Sequence, residues 1–240
     1  MLDFSMSSIS IMQPYIFPYL GYFHLIESCE KIIFYDDVNF KKRGWIHRNN
    51  ILLNGKSHLF TIPLKKSSQN KKINEIFLSE ESEVFNSKFL KKIHNSYRKA
   101  PYFKETYNLI ENIIFKKNDN ICDLAIDSIL EVYKYIDKEI KFDKSSIISP
   151  ESVDMNKADR LIHITKKLNA STYINLLAGK ELYRKNYFSQ HKINLKFVYS
   201  NDTSYRQFGN NFVNNLSIID LLMFNSKEKL FDLFSQYSCK

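Results

Sequence analysis

Short apolar runs and helix-type spacings alternate along the first part of the chain. Residues 8–12 (SISIM) and 31–35 (KIIFY) are brief, apolar and rich in β-branched side chains, which is typical of buried strands. The apolar stretch 19–28 lies between them and predicts a helix. A strand–helix–strand order favours a parallel pair, because parallel strands need a crossover connection.

A hairpin is predicted to follow. Residues 50–53 and 59–64 are apolar runs on either side of Asn54-Gly55, and this dipeptide is the strongest short-range hairpin signal. The pattern of residues 73–78 predicts one more strand after the hairpin.

The apolar spacing becomes helical in the middle third of the chain. Apolar residues at 85, 89, 93 and 97 recur every four residues, which predicts an amphipathic helix that ends before Ala100-Pro101. Similar patterns predict helices over 103–115 and 121–136. We therefore expect a helical insertion here, with core packing as the ordinary role of its aromatic residues.

The last third again alternates between strand and helix patterns, which predicts a second α/β block. The predicted elements are a strand or loop at 144–150, helices at 157–168 and 180–190, strands at 172–175 and 195–199, and two packing helices at 217–223 and 227–237. The predicted fold is α/β, with a mainly parallel sheet, flanking helices and a helical middle insertion. We expect one domain over residues 1–240, made of an N-terminal α/β part (1–80), a helical part (81–143) and a C-terminal α/β part (144–240).

Composition narrows the class of protein. Apolar residues make up 44% and aromatic residues 15% of the 240 residues, which excludes general disorder. No apolar run approaches the roughly 20 residues that span a bilayer, and the N-terminus is too short and too polar for a signal peptide. Three scattered cysteines argue against a disulfide framework or a thiolate metal site. These features predict a cytoplasmic protein.

The formal net charge of +9 attracts anions such as nucleotides or polyanions. The lysines form no single stripe in the sequence, and the chain is also rich in Asn and Ile. Generic surface lysine is therefore favoured over specific nucleic-acid binding.

Three polar groups follow predicted strands: Gln13-Pro14-Tyr15, Asp36-Asp37 and Asn175 to Gly179. Ligands of open parallel sheets bind outside the carboxyl ends of the strands, so these groups are expected to converge on one site. Gln13 suits recognition of an amide, a hydroxyl or a base, or alternatively bonds to the backbone of the turn before Pro18. The turn at Gly179 could present backbone N–H groups to an anion, although an ordinary turn is the alternative.

Asp36 and Asp37 are the predicted catalytic residues. Adjacent carboxylates can act as a general base, as metal ligands or as an anchor for an ammonium group, and successive strand residues face opposite ways. The alternative is salt bridging to Lys42, Arg43 or Arg48. A metal site is disfavoured, because no spaced set of Asp, Glu and His accompanies the pair.

Arg43 and Arg48 flank Trp45, the only tryptophan. Guanidinium groups bind phosphate through two hydrogen bonds, and an indole offers a stacking face. This trio predicts a site for a nucleotide diphosphate and its base, with a structural Arg–Trp stack as the alternative.

Six segments resemble, in order, the signature of the WbqC-like family. They are QPYIFPYLGYFHLI, FYDDVNFKKRGWIHRN, LNGKSHLFTIPLKKSSQNKKINEI, YRKAPYF, KADRLIHITKKLNASTYINLLAGKELY and YRQFGNNFVNNLSIIDLLMFN. The positions that match the family pattern are Gln13, Pro14, Pro18, Gly21, Asp36, Asp37, Arg43, Trp45, Arg48, Asn49, Gly179, Tyr183, Gln207 and Asp220. The family often has two successive glycines where this chain has Ala178-Gly179.

The resemblance implies a role in making bacterial O-antigen or another surface polysaccharide. It implies a transferase that moves an acyl or aminoacyl group from an activated donor to a nucleotide-linked amino sugar. A non-catalytic sugar-nucleotide or glycan-lipid binding protein is the alternative. PYLGYFHLI is also arranged like the HxGH turn of nucleotidylyltransferases, with Tyr19 and Tyr22 at the histidine positions, which suggests a HUP-like nucleotide-binding topology.

Overall fold

The computed structural model describes residues 7–209 and 211–240. The strands are β1 (Ser8–Met12), β2 (Lys31–Phe34), β3 (Arg48–Leu53), β4 (Lys56–Thr61), β5 (Phe142–Lys144), β6 (Thr172–Leu176), β7 (Asn194–Ser200) and β8 (Tyr237–Cys239). The helices are α1 (Leu20–Glu27), α2 (Ser82–Tyr97), α3 (Phe103–Phe115), α4 (Ile121–Tyr135), α5 (Ser145–Ile148), α6 (Lys157–Lys167), α7 (Lys185–Gln190), α8 (Ile218–Phe224) and α9 (Lys227–Phe234).

Six strands form the central sheet, in the order β5-β2-β1-β6-β7-β8. The first five of these are parallel, and only β8 runs antiparallel to its neighbour. Numbered among themselves, the strands follow the order 3-2-1-4-5-6 of doubly wound sheets. The predicted mainly parallel α/β fold is confirmed. The finer HUP-like topology is not confirmed.

The chain order creates a switch point between β1 and β6. From β1 the chain moves outward to β2 and β5, and it then returns to place β6 on the other side of β1. The connections therefore diverge at the carboxyl ends of β1 and β6. Such a divergence leaves a crevice, and this is where doubly wound proteins bind ligands.

Alternating side chains of the sheet enter two different cores. Ile9 and Ile11 of β1 lie in the core that α6 and α7 cover. Ile32 and Phe34 of β2 lie in the larger core, which α1 and the helices of the middle part cover. Helices thus bury both faces, which explains why the strands read as almost continuous apolar runs.

The predicted hairpin is present as β3 and β4. Leu53 pairs with Lys56, which leaves Asn54-Gly55 as a two-residue loop. Both loop residues have positive φ angles, 50° at Asn54 and 72° at Gly55. Asparagine and glycine tolerate this conformation best, and its twist matches the flanking strands.

Four predicted elements differ from the structure. The strand or loop expected over 144–150 is helical, because β5 ends at Lys144 and is followed by α5 and by a 3-10 turn (Pro150–Ser152). Residues 73–78 are not a strand but a 3-10 turn (Ile73–Glu75) followed by isolated bridges, because Ile73 and Ile76, three apart, are both buried. The helix expected over 180–190 is divided into a 3-10 helix (Leu177–Glu181) and α7. The last helix ends at Phe234, and the chain then turns to form β8.

The predicted amphipathic helices of the middle third are confirmed as α2, α3 and α4. The side chain of Asn120 accepts a hydrogen bond from the N–H of Asp123 and so caps the start of α4. Within the described ranges, we find no helix with the length and apolar character needed to cross a bilayer. The division of the chain into three parts within one domain stays a prediction.

Candidate functional site

The acidic pair lies where β2 ends, at the carboxyl edge of the sheet. Asp36 is 1% exposed and Asp37 6% exposed. Ser145 follows β5, the neighbouring strand, and its hydroxyl donates to both carboxylates, at 3.1 Å to Asp36 and 2.5 Å to Asp37. The parallel pairing of β2 with β5 therefore brings serine hydroxyls to the acidic pair.

Asp36 is held by further donors. Ser146 donates to it from its backbone N–H at 3.0 Å and from its hydroxyl at 2.6 Å. The Asn74 amide donates at 3.3 Å from the other side. Together with Ser145, these donors engage both carboxylate oxygens of Asp36, which explains how a charged group can be buried there.

Asp37 instead pairs with a buried arginine. The Arg160 guanidinium lies 2.5 Å from Asp37 Oδ2, and the two side chains are 2% and 8% exposed. Arg160 also donates to Ser152 at 3.1 Å and lies over the Tyr35 ring, 4.8 Å from its centre. Burial raises the pKa of Tyr35 to about 12, against the lowering effect of the Arg160 cation.

The predicted alternative named the wrong partners for this pair, since the salt bridge is made by Arg160 and not by Lys42, Arg43 or Arg48. The two carboxylates do have different partners, as expected of successive residues at a strand end. Their catalytic role stays a prediction.

The turn after β1 is held by hydrogen bonds to three other parts of the fold. Phe17 is 1% exposed and has a φ of 41°, an unfavourable conformation for a phenylalanine. Its N–H donates to Ser128 at 2.9 Å, and its carbonyl accepts from Asn49 at 2.7 Å and from Ser217 at 2.8 Å. Asn49, a predicted binding residue, is thus 5% exposed and positions the turn.

This turn places Gln13 and Tyr15 beside the crevice. Gln13 is half-buried, and its carbonyl accepts from the Tyr22 hydroxyl at 2.8 Å. Its side-chain amide has no protein partner in the described part of the chain and is therefore available to a ligand. Burial raises the pKa of Tyr15 to about 12, so its hydroxyl is neutral. Tyr19 is half-buried just before α1.

The carboxyl end of β6 forms the other side of the crevice. Asn175 is 6% exposed, and its Oδ1 accepts from the N–H of Leu176 at 2.7 Å. A Cβ atom on Gly179 would lie 2.7 Å from Asn175 Nδ2, so a larger residue would require the Asn175 side chain to shift. The Gly179 carbonyl accepts a hydrogen bond from the backbone N–H of Tyr183 at 3.0 Å, and Tyr183 is half-buried.

The helix expected to begin just after Gly179 is not at this place. Gly179 lies inside the 3-10 helix Leu177–Glu181, and α7 begins only at Lys185. Gly179 is therefore not at the N-terminus of an α-helix, and it packs closely against Asn175. Its role in binding a ligand stays a prediction.

The two arginines beside Trp45 have different environments. Arg48 Nε donates to the Gly44 carbonyl at 3.0 Å, and its guanidinium also bonds the Arg43 carbonyl. It lies over Trp45, 5.4 Å from the ring centre. Arg48 thus stabilises the loop, whereas the Arg43 side chain is exposed and Trp45 is 43% exposed.

Gln207 belongs to a separate buried network around Asp220. Asp220 accepts hydrogen bonds from Gln207 at 2.6 Å, Tyr205 at 2.6 Å and Tyr97 at 2.9 Å. The Gln207 Oε1 atom also accepts from the N–H of Val213 at 2.8 Å. Burial raises the pKa of Asp220. The network ties the segment before α8 to α2, so both ends of the Gln207 amide are already engaged by the protein.

Four residues around Asp36 and Asp37 were not predicted from the sequence: Tyr35, Ser145, Ser146 and Arg160. The serines follow a strand, as the acidic pair does, and the same strand-end rule could have found them. Arg160 lies one helical turn before Ile164, on the buried face of α6. This spacing could have shown that a basic residue occupies a core position. Among residues 7–209 and 211–240, no group of His, Cys, Asp and Glu side chains could hold a metal ion.

The strand order defines a doubly wound α/β protein, with Gln13 and Asn175 at the carboxyl ends of the two strands that flank its switch point. The sequence profile of the WbqC-like protein family matches residues 13–231, and the chain belongs to that family. It is also 24% identical over 220 residues to the uncharacterized protein Rv1507c of Mycobacterium tuberculosis, covering 90% of this chain and 93% of the relative. No solved structure matches the chain.

Proposed function

We propose that the protein is a transferase that acts on a nucleotide-linked amino sugar in bacterial O-antigen or surface-polysaccharide biosynthesis. The observation that carries this proposal is the position of Gln13. It lies directly after β1 at the switch point, with a side-chain amide that has no partner among the described residues. Such an amide suits the hydroxyl and amide groups of a sugar or base.

The sugar would lie in the crevice between the carboxyl ends of β1 and β6, with Tyr15 and Tyr183 at its borders. Neutral tyrosine hydroxyls and the Gln13 amide can exchange hydrogen bonds with sugar hydroxyls. Doubly wound proteins bind ligands at this position, which supports the choice of crevice.

Asp37 is the proposed general base, since it is the more exposed of the two carboxylates, 6% against 1% for Asp36. It would take a proton from the sugar amine as the amine nitrogen attacks the carbonyl carbon of the activated donor. The bond from that carbon to its leaving group then breaks, and the leaving group departs with its electron pair. Arg160 would keep the Asp37 carboxylate in position.

The alternative is a non-catalytic sugar-nucleotide or glycan-lipid binding protein that assists a glycosyltransferase. One observation favours it. Asp36 accepts four hydrogen bonds from Asn74, Ser145 and Ser146, and Asp37 is engaged by Ser145 and Arg160. In this alternative, the carboxylates shape the binding site and take no part in a reaction.

Mass spectrometry separates the two functions. Purified protein is incubated with UDP- and dTDP-linked amino sugars, first alone to measure binding and then with acyl and aminoacyl donors. The transferase proposal predicts a mass gain on the sugar that Asp37→Asn abolishes while sugar-nucleotide binding is retained. Binding without a mass gain from any donor would contradict catalysis and favour the binding protein. Absence of binding would contradict the transferase and the sugar-nucleotide binding protein, and would leave only a glycan-lipid binding protein.

A further inference from the structure

The positive charge of the chain is concentrated in one segment. Residues 38–74 contain nine of the 35 Lys and Arg residues and none of the 26 Asp and Glu residues. The remaining 26 basic residues balance all 26 acidic residues, so the formal charge of +9 belongs to this segment alone. A local excess of positive charge attracts anionic ligands.

The fold brings both ends of this segment together. The N–H of Phe40 donates to the Lys71 carbonyl at 2.8 Å, and Asn39 pairs with Lys72. Between the two paired stretches lies an open cavity of about 660 Å³. It is lined by Asn39, Phe40, Lys41, Lys42, Arg43, Gln69 and Asn70. Its volume falls within the range of small-molecule sites, about 300–1,000 Å³.

The cations of the cavity are not neutralised by the protein. Lys41, Lys42 and Arg43 are exposed, and no ion pair in the described residues includes any of them. Gln69 and Asn70 add neutral amide donors on the opposite wall. Ammonium, guanidinium and amide groups together are the donors that phosphate oxygens accept from.

A buried histidine lies next to Phe40, one of the residues that line the cavity. His47 is 7% exposed, its ring lies 5.2 Å from that of Phe40, and its Nδ1 atom is buried without a partner. Burial, and then the neighbouring Arg48 cation, lowers the pKa of His47 to about 4, so the ring is neutral near pH 7. Buried polar atoms are seldom left unpaired, but His47 is not among the residues that line the cavity, so the cavity assignment depends on the exposed cations alone.

We propose that this cavity binds the phosphate groups of a small phosphate-bearing ligand, through Lys41, Lys42 and Arg43. In the proposed reaction, the cavity binds the diphosphate of the sugar nucleotide. Only this identification of the ligand as a sugar nucleotide rests on the proposed function. The size of the cavity favours a small molecule over a nucleic acid. Arg48 is not part of the clamp, because its guanidinium is bonded to loop carbonyls.

Trp45 gives a direct assay, because it is the only tryptophan and lies two residues after Arg43. Inorganic pyrophosphate is titrated at about 0.15 M salt, where weak long-range attraction is screened, and Trp45 emission is recorded. We expect saturable binding of one pyrophosphate per chain. The variant Lys41→Gln/Lys42→Gln/Arg43→Gln should bind at least about tenfold more weakly, since charge-assisted hydrogen bonds are lost.

The matched control is Lys88→Gln/Lys91→Gln/Lys99→Gln. It removes the same formal charge from exposed positions on and just after α2, and its affinity should stay within about twofold of that of the unmodified protein. Thermal unfolding verifies that both variants are folded. Absent binding, or an equal loss in both variants, would overturn the proposal. A duplex DNA oligonucleotide that binds more tightly than pyrophosphate and depends on the same three residues would overturn it in favour of nucleic acid.

Sugar nucleotides are titrated in the same way, which keeps the two proposals apart. If pyrophosphate binds in the cavity and no sugar nucleotide binds more tightly than pyrophosphate, the cavity assignment stands and the proposed function fails. If sugar nucleotides bind and pyrophosphate does not, with the cavity variant unaffected, the cavity assignment fails and the proposed function stands.

Discussion

Replacing Arg160 by methionine removes the cation from the buried pair at the end of β2. The side chains of Arg160 and Asp37 are 2% and 8% exposed, and their charged atoms lie 2.5 Å apart. Methionine fills much of the same volume, so the loss of packing is small and the main effect is electrostatic. The Asp37 carboxylate stays buried, with the Ser145 hydroxyl as its remaining donor in the described residues.

The expected cost follows from that isolated charge. Breaking a buried ion pair by removing one partner costs about 3–5 kcal/mol. Arg160 also loses its hydrogen bond to Ser152 and its contact with the Tyr35 ring, so the upper part of this range is expected. For a chain of this size, a loss of that order lowers the Tm by roughly 10 °C.

Urea unfolding measures the cost, and two further variants interpret it. Arg98→Met changes an exposed arginine and should shift the free energy of unfolding by less than about 0.5 kcal/mol. Asp37→Asn/Arg160→Met removes both charges and should cost less than the sum of the two single variants, by about 0.5–3 kcal/mol. If Arg160→Met is no worse than Arg98→Met, or if the two effects simply add, the pair does not contribute as argued.

Three further changes test other parts of the site. Asp36→Asn should destabilise the protein less than Asp37→Asn in urea unfolding, because only Asp37 neutralises a buried cation; equal costs would contradict this. Gly179→Ala should cost about 1–3 kcal/mol by overpacking against Asn175, and much less in an Asn175→Ala background, where the clash is removed. The pKa of His47 is lowered to about 4 by burial, so its neutral form stabilises the fold above the unfolded pKa near 6.5, and this stability is lost as the pH falls through 4. The free energy of unfolding should therefore fall more steeply over this range than in His47→Phe, and parallel curves would refute the assignment.

The sequence predicted most of the sheet because its strands are short apolar runs buried on both faces. Residues 8–12 and 31–35 carry this pattern clearly, and Asn54-Gly55 fixes the hairpin through its backbone conformation. Residues 73–78 (INEIFL) are also mostly apolar, but Ile73 and Ile76 are buried at a spacing of three, which is not the spacing of a strand. Strand β8 could not be predicted, because Tyr237–Cys239 becomes a strand only by pairing with β7.

Site residues that follow a strand could be predicted from the sequence. Site residues that are brought together only by contacts between distant parts of the chain could not. Asp36 and Asp37 follow β2 after one intervening residue, and their burial could not be predicted from the sequence. Their partners Ser145 and Arg160 are more than 100 residues away in the chain. Gln207 looked like a ligand-binding amide, yet its partners Val213 and Asp220 come from the following segment and from α8.

The order of charges along the chain offers one more argument about the ligand. The acidic pair ends at Asp37, and the wall of the basic cavity begins at Asn39. Asp37 and Asn39 are two residues apart and the chain bends between them, so their Cα atoms are at most roughly 7 Å apart. A ligand that spans both places carries a cationic or neutral amine at one end and phosphates a few ångströms away. An amino sugar linked to a nucleotide diphosphate has that distribution, whereas a nucleic acid would place phosphates against the carboxylates as well.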